Sequence, residues 1–271
     1  MILLNGKELS DKLYNSFDTN NKLAKLVVIT IGNDEASKIY VRNKQRACER
    51  VGIKFENIIV DENIDQSDFK VLIEDTIATD TKYNDYYGII LQLPAPDYLV
   101  HIFNEIVPPV FDVDGFGNIN FNNIMTTGTS YNIPATPKGI MTLLHHYNIP
   151  IEGKHVVIVG RSNIVGKPLA QMMLKENATV TVCHSKTKHL TEITETADIL
   201  VVACGKPKFI KAEHVKEGVI IVDVGINKLE DGSICGDVDF DDVKDKCYAI
   251  TPVPGGVGPM TVYSLIENIL S

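Results

Sequence analysis

Apolar runs and amphipathic stretches alternate along the first part of the chain. Strand-like runs at 26–31, 54–60 and 87–93 are each followed by a segment of helical period, and these segments lie at about 35–51, 66–79 and 97–106. Apolar runs of this kind are typical of buried parallel strands, which are connected by helices. The order of strand and helix predicts an α/β fold with a mostly parallel sheet that helices cover on both faces.

The alternation stops at Pro108, in a segment dominated by Gly, Asn, Pro and Thr, and restarts with a helix predicted over 136–147. We expect Thr136 to be the N-cap of that helix and Pro137 to take its first position. The break predicts a domain boundary near 120–135. Further buried strands are predicted at 155–160, 178–183, 197–204 and 218–225, before a final amphipathic helix.

Composition and charge narrow the class of protein. The 271 residues are 44% hydrophobic, which predicts a folded chain with a large core. A net charge of −9 argues against nucleic acid as the main partner. The apolar runs are shorter than the roughly 18–20 residues that span a bilayer, and the N-terminus does not resemble a signal peptide. Five scattered cysteines indicate free thiols in a reducing compartment, so we expect a cytoplasmic protein without membrane association.

The segment HVVIVGRSNIVGKPLAQMML (155–174) predicts a nucleotide site. A buried strand ends at Gly160, a turn carries Ser162 and Gly166, and Pro168 opens a helix. Backbone N–H groups at such a helix N-terminus favour a pyrophosphate, as they do in dinucleotide-binding folds. Ser162 stands where the GxGxxG pattern has its second glycine, so a tight turn without a ligand is the alternative.

The end of the next strand bears on which dinucleotide is bound. An NAD site usually has an acidic residue there for the ribose hydroxyls, whereas this chain has His184, Ser185, Lys186, Thr187 and Lys188. A cationic rim, to which Arg161 could contribute, suits a 2′-phosphate. We therefore predict NADP as the cofactor, and a solvated lysine loop is the alternative.

A lysine lies in the apolar stripe of the helix predicted over 35–51. Tyr40, Lys44, Ala47 and Val51 are spaced to share one face of this helix. A lysine in such a stripe either extends to water or has its charge used in a cleft. Partial removal from water makes an amine lose its proton more readily, as a general base must. By pattern alone, extension to water is the more common outcome.

Other polar segments could converge on this lysine. Gln92 is predicted at the carboxyl end of a strand, where ligands of parallel α/β sheets collect. Asp112 and Asp114 lie in the irregular stretch, where the DVDG sequence is also typical of an Asx turn. The stiff, glycine-rich loop 251–261 could approach a ligand or simply lead into the last helix.

Taken together, these segments resemble the bifunctional methylenetetrahydrofolate dehydrogenase / methenyltetrahydrofolate cyclohydrolase family. The resemblance covers nearly the whole chain and keeps the order of the family's motifs. The matching stretches are ASKIYVRNKQRACERVGI, GIILQLPAP, DVDGF, PATPKGIMTLL, VVIVGRSNIVGKPLA, TVCHSKT, ADILVVACGKP, VDVGIN, GDVDF and ITPVPGGVGPMT.

The resemblance implies two domains with the active site in the cleft between them. The expected ranges are a catalytic, folate-binding domain at 1–122, to which a helix at 257–271 returns, and a Rossmann-like NADP-binding domain at 123–256. The implied chemistry is oxidation of 5,10-methylenetetrahydrofolate with NADP⁺, followed by hydrolysis to 10-formyltetrahydrofolate, a product used in purine biosynthesis. A homodimer through the nucleotide domain is also implied.

The resemblance also implies roles for individual residues. Lys44 would transfer protons in the hydrolysis, Gln92 would hydrogen-bond it and help keep it neutral, Tyr40 would line the folate site, and Asp114 would hold the pterin. Residues expected to border the folate are Gly255, Gly256 and Pro259. Residues expected to contact NADP are Gly160, Arg161, Ser162, Ser185 and Ile226. The chain departs from the family pattern at Phe111, Asn122 and Ala135, none of which is a catalytic position.

Three other functions are compatible with part of the sequence. A monofunctional dehydrogenase would have no need of the Tyr40, Lys44 and Gln92 group. A non-catalytic NADP-binding sensor would need only the segment 160–188, and another two-domain NADP dehydrogenase would not require the loop 251–261. The histidines and cysteines lack metal-ligand spacing, and GDVDF (236–240) is more typical of a strand-edge turn than of a cation site, so no metal is predicted.

Overall fold

A computed structural model describes residues 1–17, 23–33, 35–80, 82 and 86–271. The strands are β1 (Ile2–Leu3), β2 (Ala24–Ile31), β3 (Lys54–Val60), β4 (Tyr86–Gln92), β5 (His155–Val159), β6 (Thr179–Cys183), β7 (Ile199–Val202), β8 (Val219–Asp223), β9 (Asn227–Lys228), β10 (Ile234–Cys235) and β11 (Cys247–Ile250). The helices are α1 (Gly6–Tyr14), α2 (Glu35–Arg50), α3 (Gln66–Asp80), α4 (Asp97–Ile106), α5 (Asn118–Thr127), α6 (Ala135–His146), α7 (Gly166–Lys175), α8 (Leu190–Thr194), α9 (Phe240–Val243) and α10 (Val257–Leu270).

The chain divides into two compact units. One unit, here called the three-stranded unit, comprises residues 13–123, 130–135 and 262–271, and the other, the six-stranded unit, comprises residues 1–12, 124–129 and 136–261. The predicted domain ranges stay a prediction. This grouping differs from them because residues 1–12 and 257–261 fall in the six-stranded unit and residues 123 and 130–135 in the three-stranded unit. The first twelve residues join the six-stranded unit because β1 pairs with β11, the last strand in the sequence.

The three-stranded unit is built on a parallel sheet of order β3-β2-β4. Alternate side chains of β2, such as Val27 and Ile29, join Phe69 of α3 and Leu99 of α4 in one buried core. Because side chains alternate along a strand, Thr30 and its neighbour in register, Gln92, lie on the opposite face. This face is the one on which α2 meets the end of β4.

The six-stranded unit has a parallel sheet of order β1-β11-β8-β7-β5-β6, and β9 and β10 form a separate antiparallel pair. The central strands are apolar on both faces, as expected when helices cover both sides of a parallel sheet. A core cluster of this unit includes Val157, Leu200, Ile221 and Ile250. Strand order reverses around β5, the arrangement at which α/β folds bind ligands beyond the carboxyl ends of the strands.

Most predicted elements are present, and the α/β class with a mostly parallel sheet is confirmed. The predicted N-cap is wrong, because α6 begins at Ala135 and therefore includes Thr136, whose Oγ1 accepts a hydrogen bond from Thr261 Oγ1 at 3.1 Å. Helix α5 was not predicted, since its buried face combines Ile124 with a polar residue, Asn120. Within the described residues, no helix combines the length and apolar character required to cross a membrane.

Candidate active site

Lys44 turns its amine toward two polar partners rather than toward water. Its Nζ donates a hydrogen bond to Gln92 Oε1 at 3.1 Å and lies 3.8 Å from Asp114 Oδ2. The Lys44 and Asp114 side chains are only 14% and 18% exposed. Of the two alternatives for this lysine, the structure therefore favours a cleft in which its charge is used.

Gln92 is held in the orientation that presents its oxygen to Lys44. The side chain stands at the last position of β4, and its Nε2 donates to the backbone oxygen of Leu93 at 2.8 Å. Since that bond uses the NH₂ end of the amide, Oε1 is the atom left to face Lys44. The side chain is buried, so its rotation is also restricted by packing.

The two aspartates of DVDG have different surroundings. Asp112 is 1% exposed, and its carboxylate accepts backbone hydrogen bonds from Gly115 at 3.0 Å and Gly117 at 2.7 Å. Burial raises the pKa of Asp112, an effect that hydrogen bonds from Asn120 and Gly117 oppose. Asp112 therefore shapes the turn, as the Asx alternative predicted, while Asp114 is the residue that faces Lys44.

Tyr40 lies one helical turn before Lys44 on α2, and its side chain is 43% exposed. Side chains four positions apart on a helix share one face. The structure therefore places an exposed aromatic ring on the same face of α2 as Lys44.

In the turn between β5 and α7, the backbone packs closely against the residue that follows β7 and against itself. Gly160 has φ +145°, and a Cβ there would overlap the carbonyl oxygen of Ala203; a Cβ on Gly166 would overlap the carbonyl of Gly160. Ser162 Oγ accepts a hydrogen bond from the backbone N–H of Val165 at 3.1 Å. These contacts leave an exposed polar turn at the start of a ten-residue helix, a cradle suited to a dinucleotide phosphate.

The turn after β6 stands beside this cradle, because β5 and β6 are neighbours and parallel. The backbone N–H of His184 donates to Thr187 Oγ1 at 2.8 Å, and that of Lys186 donates to His184 Nδ1 at 3.1 Å. This local bonding leaves Ser185 and Lys186 exposed, as is Arg161 in the cradle. The residues present fit a ligand with a ribose phosphate.

The loop 251–261 is held against the start of the chain. The carbonyl of Gly255, whose φ is +108°, accepts a hydrogen bond from the backbone N–H of Lys7 at 2.8 Å. A Cβ on Gly6 would overlap the carbonyl of Gly256. Ile226 is 48% exposed, and its Cδ1 is 3.7 Å from the position that a Cβ on Gly258 would take. Gly255, Gly256 and Ile226 thus belong to one locally ordered region, and Pro259 follows on α10.

Two buried carboxylates that sequence reasoning did not select organise the loops around Ile226. Asp223 accepts backbone hydrogen bonds from Gly225, Asp237 and Val238, each at 2.9 Å. Asp237 accepts backbone hydrogen bonds from the residues following β7, at 2.7 to 2.8 Å, and one from Asn227 Nδ2 at 2.9 Å. The sequence signal for this group was the GDVDF motif, whose Asp237 stabilises a turn through these hydrogen bonds.

The burial of Asp223 predicts a pH dependence of stability. Burial raises the pKa of Asp223 to about 6 from the ordinary 3.8, against the backbone hydrogen bonds that lower it. Between these values the folded state retains a proton that the unfolded state has lost, so the free energy of unfolding falls as pH rises through this window. The expected change from this residue is roughly 3 kcal/mol.

Urea unfolding of wild type and Asp223→Asn at pH 4.5 and 7.5 checks this expectation. Asparagine cannot ionise, so the fall in stability between the two pH values should be smaller in the variant by about 2 kcal/mol. An equal fall in both proteins would contradict the assignment.

The fold, the cradle between β5 and α7, and the Lys44 amine held by Gln92 define a class of protein, that of α/β enzymes with a dinucleotide-binding unit. Residues 4–114 match the family model for the catalytic domain of tetrahydrofolate dehydrogenase/cyclohydrolase, and residues 134–271 match the model for its NAD(P)-binding domain. The chain belongs to the tetrahydrofolate dehydrogenase/cyclohydrolase family, so the predicted family membership is confirmed.

Individual relatives agree with this result. The bifunctional protein FolD of Halalkalibacterium halodurans is 47% identical, over 99% of this chain and 97% of the relative. The crystal structure of the bifunctional methylenetetrahydrofolate dehydrogenase/cyclohydrolase FolD from Campylobacter jejuni is 44% identical, with a TM-score of 0.92 over 100% of this chain and 97% of that chain. The Trypanosoma brucei enzyme, solved with NADP and an inhibitor, is 28% identical, with a TM-score of 0.90 over 99% and 96% of the two chains.

Proposed function

We propose that this chain oxidises 5,10-methylenetetrahydrofolate with NADP⁺ and hydrolyses the methenyl product to 10-formyltetrahydrofolate. The observation that carries the proposal is the Lys44 amine, held by Gln92 and facing Asp114 in a member of a family with both activities. The bifunctional relatives cover nearly the whole chain, which favours both steps over oxidation alone.

In the oxidation, the role of the protein's own residues is to bind and orient the cofactor and the folate. The residues that would hold NADP⁺ are Gly160, Arg161, Ser162, Ser185 and Ile226. When bound, NADP⁺ would supply the group that accepts hydride from the methylene carbon. The tight cradle supports this role because it exposes backbone N–H groups and the positive end of the α7 dipole. A polar rim free of acidic side chains at 184–188 supports NADP over NAD.

In the hydrolysis, water adds to the methenyl carbon and its oxygen loses a proton. The bond from that carbon to N5 then breaks as the remaining hydroxyl loses its proton and becomes the formyl carbonyl on N10. N5 takes up one proton, so that two protons leave the oxygen, one is returned and one is released. We assign Lys44 Nζ to take the proton from the water oxygen and to return one to N5. One positioned group can serve both transfers because its amine is directed by Gln92.

Substrate orientation is assigned to the residues around Lys44 and to the loop 251–261. Asp114, with an exposed edge beside the amine, would hold the pterin, and Tyr40 would contribute an apolar wall. Gly255, Gly256 and Pro259 would border the folate. A carboxylate acceptor suits the N–H groups of a pterin ring, and glycines permit close approach of a flat ligand.

The proposed function is tested by the initial rate of NADPH formation from methylenetetrahydrofolate and NADP⁺. We expect turnover with NADP⁺ and a lower kcat/KM with NAD⁺. Tight NADP binding without any reduction would overturn the enzymatic function and favour the sensor.

The cofactor preference has a direct test at Ser185. Ser185→Asp places a carboxylate on the rim assigned to the 2′-phosphate, so we expect kcat/KM for NADP⁺ to fall by about tenfold or more, from roughly 1.4 kcal/mol of repulsion. The value for NAD⁺, which lacks that phosphate, should change much less. Lys154→Gln, which changes charge equally at the amino end of β5, is the control. Equal losses with both cofactors would contradict the assignment.

We further propose a cytoplasmic homodimer that supplies one-carbon units for purine biosynthesis. Free cysteines suit a reducing compartment. Strand β6 lies at one edge of the six-stranded sheet, and Val182 on it and Leu174 on α7 are 38% and 47% exposed. A second copy that covers this apolar edge would support dimerisation through the six-stranded unit.

A further inference from the structure

The segment that carries Asp114 has no regular secondary structure, yet buried polar side chains hold it on several sides. Asn120 Nδ2 donates to the backbone oxygen of Pro109 and to Asp112 Oδ2, both at 2.8 Å. Asn132 Nδ2 donates to the backbone oxygens of Pro109 and Val110, both at 3.1 Å. The segment 109–117 is therefore fixed by side chains from outside it.

Asn268 of α10 is hydrogen-bonded to the backbone of the residue before Asp114. Its Nδ2 donates to the backbone oxygen of Val113 and to that of Ile133, both at 2.8 Å. Val113 immediately precedes Asp114, so this amide fixes the peptide from which the aspartate extends. The other carbonyl belongs to the segment before α6, and one side chain thus joins two irregular segments of the three-stranded unit.

Burial of the Asn268 amide carries a desolvation penalty, and the need to fill space in the core does not explain why an amide stands here. Asn268 is 6% exposed, on a helix whose neighbouring positions Leu265, Ile266 and Ile269 are apolar and buried. A buried amide must satisfy its hydrogen bonds to avoid a desolvation penalty, whereas an apolar residue of similar volume has no such requirement. What the amide adds is a defined position for the Val113 carbonyl, and hence for the Asp114 carboxylate.

We propose that Asn268 is a positioning residue for substrate, which acts through the backbone of Val113 to hold Asp114 in the geometry that binds the pterin. The inference rests on the proposed function, in which Asp114 contacts folate. A ligand-binding side chain must be held to within roughly 0.5 Å of its productive position, which an irregular segment achieves only with such support.

The test compares KM and kcat for methylenetetrahydrofolate in wild type and Asn268→Leu, at saturating NADP⁺. Leucine fills the volume but donates no hydrogen bond, so we expect KM for the folate to rise about tenfold, as the loss of two hydrogen bonds implies. The binding of NADP, read as its thermal shift, should be unchanged. A purely structural role would lower the melting temperature and the active fraction without raising KM.

Two variants on the same helix serve as controls. Ser264→Ala removes a buried hydroxyl that has no hydrogen-bond partner in the described part of the chain, and Ile266→Val destabilises the core without touching the amide. Both should retain the wild-type KM. If Ile266→Val raises KM as much as Asn268→Leu, loss of stability explains the effect and the proposal fails.

Asn268→Ser decides the question if the leucine variant does not fold. Its hydroxyl can keep one of the two hydrogen bonds, so KM should rise by about threefold, between wild type and leucine. An unchanged KM in the folded variants overturns the proposal, provided that wild type is active. An inactive wild type would instead overturn the proposed function itself.

Discussion

Replacement of Lys44 by methionine is expected to lower the rate of methenyltetrahydrofolate hydrolysis by about 100-fold or more, the usual contribution of a positioned proton-transfer group. Methionine has similar length and fits the apolar stripe of α2, but it neither accepts nor donates a proton at the position of Nζ. With methylenetetrahydrofolate and NADP⁺, the variant should accumulate the methenyl product or lose both steps. The decay of supplied methenyltetrahydrofolate measures the hydrolysis by itself.

Arg46→Met is the matched control for this experiment. Arg46 is an exposed cation on the same helix, so its replacement removes equal charge without altering the Lys44 group. Its hydrolysis rate should stay close to that of wild type. If Lys44→Met hydrolyses the methenyl substrate as fast as Arg46→Met does, Lys44 is not the proton-transfer residue.

Gly160→Ala is expected to disrupt the cofactor site and to destabilise its unit. The new Cβ would overlap the backbone of Ala203, at a φ of +145° that alanine rarely adopts. We expect the free energy of unfolding to fall by roughly 3 kcal/mol, which corresponds to a fall in melting temperature of about 6–12 °C. Since the cradle cannot keep its shape, the affinity for NADP should fall by about tenfold or more.

Gly153→Ala separates backbone strain from the steric overlap. Gly153 also has positive φ, at +72°, but no heavy atom lies within 4 Å of a Cβ placed there. Backbone strain alone should lower the free energy of unfolding of this control by about 1 kcal/mol and its melting temperature by about 2–4 °C. The affinity for NADP should be unchanged. Equal melting temperatures and equal affinities in the two variants would contradict the account of the cradle.

The sequence predicted the elements whose pattern is local. Strand β3 and helix α4 begin and end where the alternation of apolar and polar positions indicated, because period and flanking turns define such elements. Helix α5 escaped prediction because its buried face includes Asn120, which hydrogen-bonds the irregular segment before the helix, and hydropathy does not register such contacts. The pairing of β1 with β11 escaped for the same reason.

The candidate site was predictable to a similar extent. The position of Lys44 in an apolar stripe identified an unusual lysine, but only the structure shows its amine directed at Gln92 and Asp114. Pattern could not separate the two aspartates of DVDG, because the difference between them is burial of Asp112 by the residues around it. Asn268 carries no local signal at all, since its function depends on which carbonyls α10 meets.

The proposed function requires that one chain performs both steps. The most direct test follows NADPH, methenyltetrahydrofolate and 10-formyltetrahydrofolate in one reaction of the wild-type protein with methylenetetrahydrofolate and NADP⁺. We expect the formyl product to form faster than uncatalysed hydrolysis allows and to reach one equivalent per NADPH. NADPH formation with formyl product appearing only at the uncatalysed rate would contradict it and leave a dehydrogenase alone.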